Sequence, residues 1–121
     1  MSEYLTKDFK VSELACPCCR KCEMDPVFLT RLQALRDVMN CPLVPVSGYR
    51  CQSHNDSLPG SGKQSQHLYG RAADIRVRDF DAATRHRLIK TVFSLGFTGI
   101  GIGKIELHLD TRPGSAKSWG Y

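Results

Sequence analysis

The stretch Gly99-Ile-Gly-Ile-Gly103-Lys-Ile105-Glu-Leu-His-Leu-Asp110 decides the fold. Leu107 and Leu109 alternate with Glu106, His108 and Asp110, and a period of two is the period of a strand. The first half reads as a glycine-punctuated strand, the second as a cleanly alternating one. Gly103-Lys104 supplies the turn between them, so the two form a hairpin. Ala73, Ile75 and Val77 alternate in the same way with Asp74, Arg76 and Arg78. That makes a third, half-buried strand with Asp74 on its more polar face. Leu43 to Val46 reads as a short strand, and Pro45 inside it points to an edge.

Two helices accompany these strands. Asp25-Pro26 is a helix start, with Asp as cap and Pro at the first helical position. Phe28, Leu32, Leu35 and Met39 then recur at helical spacing, and Pro42 ends the run. The second helix follows Asp79-Phe-Asp81, lines up Leu88, Val92 and Leu95, and stops at Gly96. Residues 52–64 are polar and rich in Gly and Ser, so they read as a long surface loop, and residues 111–121 read as a loop-like tail. The order predicts an α+β fold: a small single domain whose antiparallel sheet is packed by helices.

Length agrees with that. The 121 residues and 13.5 kDa suit one domain spanning 1–121, with a Cys-rich segment over 1–24 and a tail over 111–121. Hydrophobic residues at 41% and charged residues at 24% exclude a fully disordered chain. No apolar run reaches the ~18 residues that a membrane span needs. The opening MSEYLTKDFK lacks the apolar core of a secretory signal, so the expected location as synthesised is the cytoplasm. A net charge of +5, spread along the chain, suits an anionic polymer such as nucleic acid, teichoic acid or lipopolysaccharide.

His67, Asp74 and His108 are candidate ligands for a zinc ion, because two imidazoles and a carboxylate leave a fourth position for water. Strand alternation puts Glu106 on the face of His108, where a general base belongs, with Asp110 on that face as the next candidate. On spacing alone, ordinary surface or core histidines are the better explanation of these residues. His86 lies between Arg85 and Arg87 on a solvated helix face, and His54 sits in the polar loop. Tyr49 and Tyr69 read as packing, and Trp119 either walls a cleft or closes the core.

The wording around the candidates is more specific. Ser65-Gln-His67-Leu-Tyr-Gly70-Arg-Ala72-Ala-Asp74 fits the pattern S-x-H-x-x-G-x-A-x-D. It is preceded by Ser47-Gly-Tyr-Arg50 and followed by His108-Leu-Asp110. From about Phe9 onward the chain resembles the zinc D-Ala-D-Ala carboxypeptidase family, which also holds vancomycin-resistance dipeptidases and phage endolysins. It looks closest to the short, single-domain branch. The resemblance implies one catalytic zinc on the sheet face, held by His67, Asp74 and His108. It implies that Arg50 meets substrate charge, either a terminal carboxylate or an oxyanion, and that Ser65 and Gly70 shape the ligand loop. One departure stands out. Relatives of the dipeptidase and endolysin branches carry an acidic base three residues before the last ligand, whereas here Ile105 is at minus three and Glu106 at minus two. Strand geometry favours Glu106.

The function so implied is a zinc metallopeptidase, a hydrolase acting on peptidoglycan stem peptides that contain D-amino acids. It would be a monomer with a cell-wall peptide as partner, no nucleic acid and no membrane span, reaching the wall after release from the cell as phage lysis proteins do. Two other classes compete: a wall-binding or phage structural domain with the same fold but no turnover, and a nucleic-acid-binding zinc module. The module lacks a C-x₂-C…H-x₃-H spacing and a dense basic stripe.

Six cysteines remain, four of them in Cys16-Pro-Cys18-Cys19-Arg-Lys-Cys22, with Cys41 and Cys51 on either side of the short strand. The cluster lacks two separated C-x-x-C knuckles, so reduced or partly disulfide-linked thiols are expected ahead of a structural metal, and no catalytic role is assigned to them. Cys41 or Cys51 is the residue that would complete a metal site in space.

Overall fold

The computed structural model describes residues 3–60, 62 and 65–121. Its elements are α1 (Val11–Leu14), α2 (Pro26–Met39), β1 (Pro45–Ser47), α3 (Gln52–Ser57), a 3-10 turn (Gln66–Tyr69), β2 (Ala72–Arg76), α4 (Ala82–Ser94), β3 (Gly99–Ile102), β4 (Glu106–Asp110) and β5 (Lys117–Gly120). The five strands form one sheet in the order β1-β2-β4-β3-β5. Every pairing is antiparallel except β3 with β5.

Both long helices begin as the sequence dictates. The Asp25 carboxylate accepts from the Phe28 N–H and Asp81 does the same for Thr84, which satisfies donors that a first turn leaves free. Phe28, Leu32, Leu35 and Met39 of α2, with Leu88 and Val92 of α4, bury themselves against Ala73, Ile75, Ile100, Leu107 and Leu109. These sheet residues share one face, so the alternating residues Asp74, Gly101 and His108 face the other way. One face makes the core, and the opposite face is left for chemistry.

Two expectations need correction. Residues 52–57 are helical rather than loop. Cys51 caps the turn through its sulfur, the Gln52 amide donates to Asp56 at 2.7 Å, and the buried Asn55 side chain donates to the Gly62 carbonyl. Positions 61, 63 and 64 of the expected loop lie outside the described residues. The tail is not a loop throughout either, since β5 runs parallel to β3 with Trp119 opposite Gly101. Every residue of β5 is exposed, so its sequence carries no apolar alternation that would reveal it.

Candidate metal centre and cleft

A row of paired residues crosses the sheet: Asp74 on β2 faces His108 on β4, which faces Gly101 on β3, which faces Trp119 on β5. His67 reaches the row from the 3-10 turn. That turn is held by Ser65, whose hydroxyl accepts from the His67 N–H, and by Gly70 at φ +69°. Any side chain at 70 would place its Cβ 1.8 Å from the Glu23 carbonyl oxygen. The expectation that Ser65 and Gly70 shape this loop matches their positions.

Donor atoms of His67, Asp74 and His108 all lie within 4.8 Å of one another. His67 Nε2 is 3.4 Å from Asp74 Oδ2, and His108 Nδ1 is 3.0 Å from Asp74 Oδ1. The far side of each ring fixes its tautomer. His67 Nδ1 is 2.7 Å from the Gly48 carbonyl oxygen, which only accepts, so Nδ1 carries the proton and Nε2 turns its lone pair inward. His108 Nε2 is 2.7 Å from Asp110 Oδ2, and a proton held there frees the Nδ1 lone pair for an ion once the proton shared with Asp74 is displaced. Two imidazole lone pairs and a carboxylate then converge on one point. Such a set repels itself unless a proton or a cation sits between its members, and two nitrogens with one oxygen suit zinc better than calcium or magnesium.

Electrostatics follow this geometry. Burial pushes Asp74 up, but hydrogen bonds with His108 and His67 outweigh it and hold the carboxyl well below the usual carboxylate range. Asp110 is completely buried, and burial again acts upward, yet His108 and Arg112 hold it low. Burial pushes the His108 imidazolium down, while its bonds with Asp110 and Asp74 more than reverse that. Asp110 is therefore excluded as the reserve general base. Its oxygens are taken by His108 and by the Arg112 guanidinium and N–H, and it has no exposed surface.

Glu106 and Arg50 complete the surroundings. β4 pairs with β2 without a bulge from Glu106 to Asp110, and with β3 from Leu107 to Asp110, so Glu106 shares the face of His108, whereas Ile105 is exposed. Burial and then the Asp74 charge push the Glu106 carboxyl up, with Arg50 and His67 opposing. Arg50 Nη2 lies 3.3 Å from Asp74 Oδ2, and its Nε–H donates to Ser47 Oγ at 3.2 Å. A cavity of about 470 Å³ is lined by Arg50, His67, Asp74, Glu106, His108 and Trp119. It adjoins another of about 900 Å³ toward α1 and His54, and Arg50, Asp74 and Glu106 line both. His54 thus borders the cleft, while His86 is exposed on α4.

Sequence reading missed the supports of the two histidines. The Gly48 carbonyl is silent in sequence, but Asp110 lay two residues from His108 on one strand face, and that spacing carried the signal. The glycines of β3 went unexplained as well. A Cβ at Gly99 would fall 2.1 Å from the Asp110 carboxylate, and one at Gly101 would fall 2.7 Å from Trp119 Nε1. They clear space for the buried carboxylate and for the indole that lies 5.3 Å from the His108 ring.

Among the described residues, no helix is long and apolar enough to cross a membrane. No curated protein matches the chain. A family model described as peptidase M15 matches residues 7–110, from the approach to Phe9 through Asp110, and the chain belongs to that family.

Proposed function

We propose that the protein is a zinc metallopeptidase that hydrolyses peptide bonds in bacterial peptidoglycan stem peptides containing D-amino acids. The observation that carries this reading is the convergence of His67, Asp74 and His108 in a cleft of a peptidase M15 chain. These three residues would hold the metal, with Gly48 and Asp110 fixing the two rings. Bound there, zinc supplies Lewis acidity, acidifying water and polarising the scissile carbonyl.

The chain's own residues do the rest. A Glu106 oxygen accepts a proton from the attacking water and later delivers it to the leaving amine nitrogen. Arg50, steadied by Ser47 and Asp74, presents its remaining guanidinium edge to a substrate carboxylate or to the developing oxyanion. Trp119 walls one side of the site. Two adjoining cavities that share Arg50, Asp74 and Glu106 suit an extended peptide lying across the reactive centre. The net positive charge favours an anionic envelope.

Digestion of purified peptidoglycan with mass analysis of the released fragments tests this. New peptide termini are expected, lost on chelation and regained with zinc. Intact stem peptides after incubation with zinc-loaded protein would contradict it.

A further inference from the structure

The cysteine cluster belongs to no step of the proposed reaction, yet the fold brings part of it together. Sulfurs of Cys16, Cys19 and Cys51 lie within 4.8 Å of one another, although Cys51 is 32 residues or more away in sequence. Main-chain bonds set this up. The Tyr49 N–H donates to the Leu14 carbonyl at 2.8 Å, which lays the segment before Cys51 along the segment before Cys16. A tight loop then turns Cys19 back, closed by the Cys16 N–H to Lys21 O and the Arg20 N–H to Cys16 O, both at 2.8 Å. Arg20 adopts φ +64° to make that turn.

We propose that Cys16, Cys19 and Cys51 form a second metal site, a thiolate site for zinc or a chemically similar divalent ion. Cys16-x-x-Cys19 has the spacing of one zinc knuckle, and Cys51 arrives from a separate loop to face it. Distances favour metal over a disulfide. Cys16 Sγ and Cys51 Sγ are 3.7 Å apart. Sulfurs on a tetrahedral zinc with bonds of ~2.3 Å stand about 3.8 Å apart, whereas a disulfide needs about 2.0 Å. The sulfurs also receive backbone donors, as thiolates do: the Cys51 N–H points to Cys16 Sγ at 3.5 Å and the His54 N–H to Cys51 Sγ at 3.4 Å. The three thiolates leave one position for a fourth donor such as water.

Binding releases the three thiol protons and closes a clamp between the N-terminal segment and the loop that carries Arg50. Cys51 directly follows Arg50, and Cys16 and Arg50 line the same larger cavity. The site thus fixes one wall of the cleft without touching the reacting atoms. Cys51 supplies the second loop that the linear cluster lacks.

Cobalt(II) titration of the full, reduced chain under anaerobic conditions tests the site. A histidine and carboxylate site gives no thiolate-to-cobalt charge-transfer band, so success or failure here is separable from the proposed active site. The His67→Ala variant should show the near-ultraviolet band saturating at one cobalt per chain. Cys22→Ser should keep the band, and Cys19→Ser and Cys51→Ser should lose it. Should the last two fail to fold, the wild-type chain still decides. Absence of the band there, or a Cys16–Cys51 disulfide without bound zinc in freshly isolated protein, overturns the proposal.

Discussion

The buried Asp110 carboxylate accepts a hydrogen bond from His108 Nε2 at 2.7 Å, two residues along the same face of β4. Gly99, directly opposite on β3, leaves the space that the carboxylate occupies. A carboxylate behind an imidazole raises its basicity and fixes which nitrogen faces forward. Asp110→Asn keeps the shape but loses the charge, and its amide can offer His108 a donor in place of an acceptor. Metal affinity, measured by competition with a chelator, should fall by ~10- to 100-fold. Unchanged affinity would make Asp110 a partner of Arg112 only.

Glu106→Gln should keep bound metal and substrate binding while turnover falls by ~10²–10⁴-fold. The base must be deprotonated to act, so activity rises with pH through its pKa. In the metal-free chain burial and Asp74 push that carboxyl up, a bound cation acts the other way, and the acid limb of kcat/KM that belongs to this carboxyl should vanish in Glu106→Gln. Loss of metal in the variant would make Glu106 a ligand, and near-normal turnover would remove it from the reaction.

Arg50→Lys retains the charge but not the planar fork, so kcat/KM should drop ~10- to 100-fold, about 1.4–3 kcal/mol. Unchanged kinetics on peptidoglycan fragments would leave Arg50 as a structural partner of Asp74 and Ser47.

Metal-free protein should show a stability maximum in mildly acidic solution. The depressed pKa values of Asp74 and Asp110 give stability that is present above the unfolded value near ~3.9 and is lost as pH falls through the folded values. The raised pKa of His108 gives stability present below the unfolded ~6.5 and lost as pH rises through the folded value. Chelated protein should therefore show a Tm that declines on the alkaline side, while metal-loaded protein does not, because the ion takes over the proton's place. Parallel Tm profiles for the two forms would contradict this.

Much of this was legible in the sequence because it repeats with a period. Phe28, Leu32, Leu35 and Met39 declared a helix, and Leu107 and Leu109 declared both a strand and the face on which His108 must stand. Elements without an apolar face left no such record. The helix over Gln52–Ser57 is held by a cysteine cap and side-chain bonds, and β5 is exposed throughout. The gathering of Cys51 with Cys16 depends on main-chain pairing between distant segments, which no local pattern encodes.

The central claim is that His67, Asp74 and His108 hold the catalytic metal. Metal content of purified wild-type protein beside His67→Ala and His108→Ala tests it most directly. Each variant should contain one zinc per chain fewer than wild type, with turnover abolished. Full zinc content in both variants, with the chains folded, would contradict it.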